Sequence, residues 1–199
     1  MNIVVETAKG FTVVRPDTTW ERYNRDFYVP DYVAGLYWTP VVYATVIRPG
    51  KFIKQDFAHR YLSPAAYGVL FYPVENRADG SMADPEQFAQ ACCLNHSSFL
   101  PSPFPDESWS IPNDAFALTI DGAEAFATSL DPTPFLYGAL ERASQRVLLR
   151  NGDLLALELQ PRQLLASGCE PAPGNAPVRF VGRYASASSP LLDFMVIFA

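Results

Sequence analysis

The side chains of this chain that could do chemistry are few, and most of them lie in one polar segment. Of its two histidines, His96 lies in the cluster Asn95-His96-Ser97-Ser98, shortly after Cys93. A histidine beside serines, or a thiol in an electropositive setting, is a candidate for nucleophilic catalysis. Residues this close in sequence rarely have the geometry of a nucleophile and its base, so an inert role is the more common outcome. The other histidine, His59, is expected to be a packed or hydrogen-bonded surface residue.

The carboxylates are spread along the chain without the spacing of a metal cage. No two acidic residues lie at i, i+2 on a predicted strand or at i, i+4 on a predicted helix, the spacings that would place two ligands on one face. Glu75 is the one acid at the end of a predicted buried strand, where a solvated loop acid and a functional group are equally good interpretations. Dinucleotide, phosphate-loop and nucleophile-elbow motifs are absent. The residues alone therefore indicate no reaction.

Charge and cysteine content exclude several classes of protein. The net charge is −6, and the scattered basic residues form no electrostatic footprint for nucleic acid. The three cysteines are the adjacent pair Cys92 and Cys93, and Cys169. An odd number with one adjacent pair does not make a disulfide framework and favours a reducing compartment. The first residues lack a signal pattern, and no apolar run has the length that spans a bilayer. We expect a cytoplasmic protein.

The elements that must position these residues are short and mostly extended. Aromatic residues make up 14% of the chain, which favours sheet, and 18 prolines divide it into short pieces. The apolar run Val41–Ile47 predicts a central buried strand. Other strands are predicted at Ile3–Glu6, Phe11–Val14, Tyr67–Val74, Val178–Tyr184 and Leu192–Phe198, with a short one from Phe27 that Pro30 ends.

Turn signals and helical spacing complete this outline. Asp121-Gly122 and Asn151-Gly152 each predict a hairpin, the second joining Val147–Leu149 to Leu154–Leu159. Apolar residues from Ile53 to Leu62 follow helical spacing, and Asp84-Pro85 and Asp131-Pro132 open two further helices. The three stretches predicted to be loop-like or mostly irregular are Glu75 to Pro85, Ser97 to Pro112 and Pro161 to Pro177. The pattern predicts one β-dominated α+β domain over residues 1–199.

The order of several segments resembles that of bacterial fumarylacetoacetate hydrolase family proteins. No single segment is decisive, but their order and spacing cover nearly the whole chain. The matching segments are Arg15-Pro16-Asp17-Thr18, Phe27-Tyr28-Val29-Pro30-Asp31, Gly50-Lys51-Phe52-Ile53, Phe57-Ala58-His59-Arg60-Tyr61, Ala117 to Gly122, Leu148 to Leu155 and Leu191-Leu192-Asp193-Phe194.

The resemblance implies a fold and a chemistry. The fold is that of the family's C-terminal domain, a mixed β-sheet or β-roll with a few short helices. Family members bind Mg²⁺, Mn²⁺ or Ca²⁺ through carboxylates and cleave, decarboxylate, tautomerise or hydrate 2-oxo acids. A hard cation suits this chemistry because it chelates two substrate oxygens and stabilises an enolate.

This chain departs from the family at the positions that carry that chemistry. The family's Tyr-Glu-x-Glu-Leu strand corresponds to Tyr37-Trp38-Thr39-Pro40-Val41, so that Trp38 and Pro40 replace both glutamates. In the segment that corresponds to the one carrying the family's third metal ligand, Glu75 is the only residue with a carboxylate. The family's Lys-x-Phe-Asp-Gly-Ser corresponds to Cys93 through Ser98, which loses the lysine and keeps the final serine. The family's substrate-lining Thr-Gly-Thr-Pro reads Leu157-Glu158-Leu159-Gln160.

Three interpretations follow. The first is a catalytically inactive homologue without a metal cofactor, with a structural or regulatory role as a homodimer or in association with an active relative. The second is an Mg²⁺- or Mn²⁺-dependent hydrolase or decarboxylase of acylpyruvates or related 2-oxo acids, whose rebuilt site uses Arg15, Asp17, Asp31, Glu75 and His96. The third is a small-ligand binding module with an aromatic pocket of Tyr37, Trp38 and Tyr72.

The resemblance also defines one vestigial pocket. Its expected residues are Arg15, Asp17, Tyr37, Trp38, Glu75, His96 and Ser98. We expect no membrane and no nucleic acid among the partners, and we prefer the first interpretation.

Overall fold

A computed structural model describes residues 1–75, 85–101, 114–167 and 176–198 of the chain. Strands dominate these ranges. In chain order they are β1 (Asn2–Glu6), β2 (Thr12–Pro16), β3 (Trp20–Glu21), β4 (Phe27–Val29), β5 (Val33–Thr45), β6 (Ala66–Glu75), β7 (Ser98–Phe99), β8 (Phe116–Ile120), β9 (Ala123–Thr128), β10 (Leu154–Glu158), β11 (Gln163–Ser167), β12 (Val178–Tyr184) and β13 (Leu192–Phe198).

The larger sheet is rolled into a nearly closed barrel. Its strand order is β2-β1-β10-β5-β6-β7-β3, and β11 also pairs with β5. The edge strands β2 and β3 are joined by one 3-10 turn, Asp17–Thr19, so the chain itself brings the two edges together. Rolling a sheet in this way gives each strand an inner and an outer face, because successive side chains alternate.

The inner and outer faces of the barrel bury different residues. Inside lie apolar and aromatic side chains that include Ile3, Val41, Tyr43, Leu70 and Tyr72. The second sheet, ordered β4-β13-β12-β8-β9, packs on the outer face. The layer between the two sheets is rich in phenylalanine, and its rings meet edge to face or stacked. Its contacting rings include Phe27, Phe71, Phe99, Phe180 and Phe194.

In the described ranges, two α-helices pack against the larger sheet. Helix α1 (Pro85–Ala91) lies against β6, and α2 (Thr133–Arg146) lies against β10, β1 and the 3-10 helix Gln55–Arg60. Leu136, Ala139, Leu140 and Ala143 form the buried face of α2. None of the helices in the described ranges is long and apolar enough to cross a membrane.

The β-dominated fold class is confirmed, and three local predictions need correction. The segment with helical spacing forms only the 3-10 helix Gln55–Arg60. Leu149 does not enter a hairpin with β10, because it bridges Gly50 while β10 pairs in parallel with β1 and antiparallel with β5. The stretch from Pro161, predicted to be loop-like, contains β11. In the last two cases a partner distant in sequence decides the local structure.

The other two stretches predicted to be irregular fall mostly outside the described residues. These are residues 76–84, with the capping position Asp84, and residues 102–113. Cys169 and the end of the third stretch, residues 168–175, also lie outside them. Within the described part, Ser98 and Phe99 form the short strand β7.

Candidate functional site

Of the seven residues of the expected pocket, Arg15, Asp17, His96 and Ser98 lie in adjoining segments, whereas Trp38 lies on the other face of the sheet. Trp38 is buried on the outer face of β5, where its ring meets Phe180 edge to face at 5.6 Å. Tyr37, the adjacent residue, packs against the interior of the barrel, as does Tyr72, which it opposes on β6. The aromatic pocket of Tyr37, Trp38 and Tyr72 is therefore not formed, because Trp38 points to the opposite side of the sheet.

Asp17 and Ser98 lie in two segments that contact each other, since the backbone N–H of His96 donates to the carbonyl of Thr18 at 3.2 Å. Asp17 is exposed in the 3-10 turn that joins β2 to β3. Ser98 is buried on β7, and its hydroxyl lies 2.9 Å from the hydroxyl of Thr19. That contact links the turn between the two edge strands to β7, which is a structural role.

His96 has a partner that sequence reasoning missed. Its Nδ1 lies 3.2 Å from a carboxylate oxygen of Glu21, a residue whose side chain is buried while the histidine is about half exposed. Glu21 also accepts from Arg25 and from the backbone N–H of Tyr23. No sequence signal could have paired Glu21 with His96, because the parallel pairing of β3 with β7 brings them together.

Arg15 is the one residue of the expected pocket that lies at the centre of a polar cluster. It is fully buried. Its Nη2 donates to the carbonyl of Phe71 at 2.8 Å and to the hydroxyl of Ser97 at 2.7 Å. Its Nε lies 3.4 Å from the carbonyl of Cys92. The guanidinium thus joins β2 to β6 and to the segment after α1, across the opening of the barrel.

A second guanidinium lies beside the same tyrosine. The Cζ of Arg15 is 4.9 Å from the ring centroid of Tyr72, and the Cζ of Arg162 is 4.1 Å from it. Arg162 also lies 4.4 Å from the ring of Phe88, which α1 stacks on Tyr72. Glu158 completes this group, which we call the arginine–tyrosine cluster and define as Arg15, Tyr72, Glu158 and Arg162.

Glu158 already has donors for both of its oxygens. Its Oε1 accepts from the hydroxyl of Tyr72 at 2.7 Å and from Arg162 at 2.9 Å. Its Oε2 accepts from the backbone N–H of Ala8 at 2.9 Å. Burial and the adjacent Glu158 carboxylate raise the pKa of Tyr72, so that the phenol remains a proton donor. Glu158 is therefore saturated with donors, whereas Nη1 of Arg15 is buried without a hydrogen-bond partner among the described residues.

The residues present do not fit the divalent cation of the resembled family. Every residue of β5 is uncharged, so no choice of register around Trp38 would supply a carboxylate from that strand. The interior positions of β6 include Leu70 and Tyr72. Two guanidiniums beside Tyr72 would repel a cation there, and a hard cation requires several oxygen ligands. In the described ranges, no three His, Cys, Asp or Glu side chains form a group that could hold a metal ion.

Glu75 lies at a separate cavity beside α1. This cavity has a volume of about 500 Å³, and its lining includes Tyr32, Glu75, Gln87 and Cys93. Cys93 is exposed, whereas its neighbour Cys92 is buried. Burial raises the pKa of the Cys92 thiol, and the nearby arginines only partly oppose this. Glu75 and His96 were both proposed for a rebuilt site. Glu75 lines this cavity, whereas His96 pairs with Glu21.

Comparison with known proteins gives a fold and no more. No family model and no curated protein matches the chain. Solved structures do match over nearly its whole length. A protein from Yersinia pestis CO92 assigned to the fumarylacetoacetate hydrolase family superposes with a TM-score of 0.70 and 15% identity, covering 98% of this chain and 92% of that one.

Two further structures agree. Fumarylpyruvate hydrolase from Pseudomonas aeruginosa, solved with Mn²⁺ and pyruvate, has a TM-score of 0.70 and 14% identity over 100% of this chain and 90% of its own. A 2-hydroxyhepta-2,4-diene-1,7-dioate isomerase from Mycobacterium marinum has a TM-score of 0.66 and 14% identity, over 98% and 74% respectively. The chain therefore has the fold of the fumarylacetoacetate hydrolase family proteins.

Proposed function

We propose that this chain is a catalytically inactive protein of that fold, without a divalent-metal cofactor, and that it acts in the cytoplasm by association. The arginine–tyrosine cluster is the observation that carries the proposal. Two guanidiniums and a phenol occupy the barrel interior beside the uncharged strand β5. A fixed guanidinium positive charge there makes binding of a second cation unfavourable.

The proposal extends to the manner in which the protein acts. A protein that keeps a complete scaffold without a reaction serves through its surface, so we propose a homodimer or a complex with an active protein of the same fold. The free thiols of Cys92 and Cys93 suit a reducing compartment. Sedimentation velocity at increasing concentration tests the homodimer. If the protein is a monomer at every concentration, the complex is tested by mixing it with an active protein of the same fold.

Metal binding is tested by titrating the purified protein with Mn²⁺ and following free Mn²⁺ by electron paramagnetic resonance. We expect no stoichiometric site, whereas the Pseudomonas aeruginosa fumarylpyruvate hydrolase serves as the positive control. Acylpyruvates and oxaloacetate are assayed for turnover in the same samples. One tightly bound Mn²⁺ per chain, lost in a Glu75→Gln variant, would contradict the proposal and support the rebuilt metalloenzyme instead.

A further inference from the structure

A second and larger cavity lies beside α2. It has a volume of about 740 Å³, is partly open to solvent, and is bordered by the turn after β1, by β9, by α2 and by the end of β10. Small-molecule sites in proteins commonly have volumes of about 300 to 1,000 Å³. The volume is therefore that of a site for a small organic molecule.

The walls of this cavity are mostly apolar. Phe126 of β9, Leu157 of β10 and Leu159 line its sides. Leu130 and Phe135 also line it, and both are large apolar side chains with most of their surface exposed. Apolar walls with exposed apolar side chains favour the body of an amphipathic ligand over water.

Arg142 supplies the charged group of the cavity. Its Nε donates to a carboxylate oxygen of Glu6 at 3.0 Å, and Glu6 is completely buried. This pairing orients the guanidinium, and no contact within the described part of the chain uses its two terminal nitrogens. A guanidinium held in this way is a good partner for a carboxylate, which it can bind through two parallel hydrogen bonds.

Gly138 makes room for that guanidinium. It lies inside α2, where glycine costs about 1 kcal/mol relative to alanine. A Cβ at this position would lie 3.3 Å from Nη1 of Arg142 and 3.9 Å from Oε1 of Gln55. Both Gly138 and Arg142 line the cavity. A Cβ here would need only a small shift of the end of the Arg142 side chain, whereas a larger side chain would occupy part of the cavity.

The acidic groups near the cavity are already paired. Glu158 accepts from Arg162, Tyr72 and Ala8, and Glu6 accepts from Arg142 and from the hydroxyl of Thr12. Asp131 accepts from the backbone N–H of Thr133. Among the described residues that line the cavity, Arg142 is therefore the group with charged donors to spare.

We propose that this cavity binds a small carboxylic acid with an aromatic or aliphatic body. The body lies against Phe126, Leu157 and Leu159, and the carboxylate pairs with the terminal nitrogens of Arg142. Phenylbutyrate is a suitable probe because it carries one carboxylate on an apolar arm and a ring. This inference does not depend on the metal question, because Gly138 and Arg142 belong to α2 and not to the barrel interior.

The experiment is isothermal titration calorimetry of the full chain with phenylbutyrate, phenylbutanol and phenylbutylamine. We expect phenylbutyrate to bind at least about tenfold more tightly than the alcohol or the amine, because only the acid pairs with a guanidinium. Absence of phenylbutyrate binding by the folded protein, or equal binding of all three compounds, overturns the proposal.

Two variants locate the site. Gly138→Leu fills the cavity beside Arg142 and should abolish binding while the helix keeps or gains stability, since leucine is the better helix former. Gln145→Leu, at an exposed position of the same helix, is the matched control and should bind as the parent does. Arg142→Gln should remove the preference for the acid. If Arg142→Gln does not fold, Gly138→Leu decides, and unchanged binding in that variant overturns the proposal.

Discussion

The hydroxyl of Tyr72 donates to Oε1 of Glu158 at 2.7 Å, a bond that spans β5 in the barrel. Tyr72 is on β6 and Glu158 is on β10, the strands on either side of β5. Main-chain pairing cannot join two strands that are not adjacent, so this side-chain bond fixes their separation. The arginine–tyrosine cluster therefore stiffens the barrel across β5.

Removal of the Tyr72 hydroxyl should destabilise the protein moderately. We expect Tyr72→Phe to lower the free energy of unfolding by about 1 to 2 kcal/mol, because a hydrogen bond to a buried carboxylate is lost while the ring packing stays. Urea denaturation measures the change. Tyr28→Phe, at an exposed tyrosine, is the control and should change the stability little. An equal effect of both variants would contradict the role assigned to the bond.

Arg15 should be far more sensitive than an exposed arginine. Arg15→Met keeps much of the side-chain volume but leaves the carbonyl of Phe71 and the hydroxyl of Ser97 without this donor. We expect a loss of about 3 kcal/mol or more in the free energy of unfolding, since two buried hydrogen bonds from a charged donor are lost. Arg183→Met, at an exposed position of β12, is the matched control. A difference of less than about 1 kcal/mol between the two would contradict this account, because two surface substitutions differ by no more than that.

Stability should fall in alkaline solution through buried tyrosines. Burial, reinforced by Asp131, raises the pKa of Tyr67 from 10.0 to about 12. Below pH 10.0 the phenol is protonated in both the folded and the unfolded protein, so its full contribution to the free energy of unfolding is present. Between pH 10.0 and about 12 the unfolded chain loses this proton first, so unfolding becomes more favourable. Denaturant unfolding across this range should show the decline, and Tyr67→Phe should reduce its slope whereas Tyr28→Phe should not.

The two adjacent cysteines should differ sharply in reactivity. Cys93 is exposed, whereas Cys92 is buried and its pKa is raised, so its thiolate is scarce. In a Cys169→Ser background, a thiol reagent should label one group quickly and the second only on unfolding. Mass spectrometry of labelled peptides identifies each site. Cys93→Ser should remove the fast phase, and fast labelling in that variant would show that Cys92 is accessible.

Local sequence signals were sufficient for much of the fold. Alternating and continuous apolar runs located β1, β6, β12 and β13 within one or two residues, because burial of one or both faces imposes those patterns. The Asp121-Gly122 turn was also visible, since both residues adopt positive φ in the hairpin of β8 and β9. The Asn151-Gly152 signal was equally strong and misleading, because a turn sequence does not state which strand follows it.

At the candidate site, the sequence could not predict which face of the sheet a residue occupies. Tyr37 and Trp38 are adjacent, and alternation guarantees only that they point to opposite sides of β5. Which side is the barrel interior depends on how the sheet rolls and where the second sheet packs. For the same reason the pairing of Glu21 with His96 had no local signal.

The sequence by itself determined that β5 carries no acidic residue and that the chain is dominated by strands, because composition and periodicity are properties of single segments. Only the tertiary structure decided what occupies the interior instead. Arg15, Tyr72, Glu158 and Arg162 come from separate parts of the chain, and they meet because β2, β6 and β10 are rolled around one axis. Contacts between residues distant in sequence depend on the register and curvature of the whole sheet, which no local pattern records.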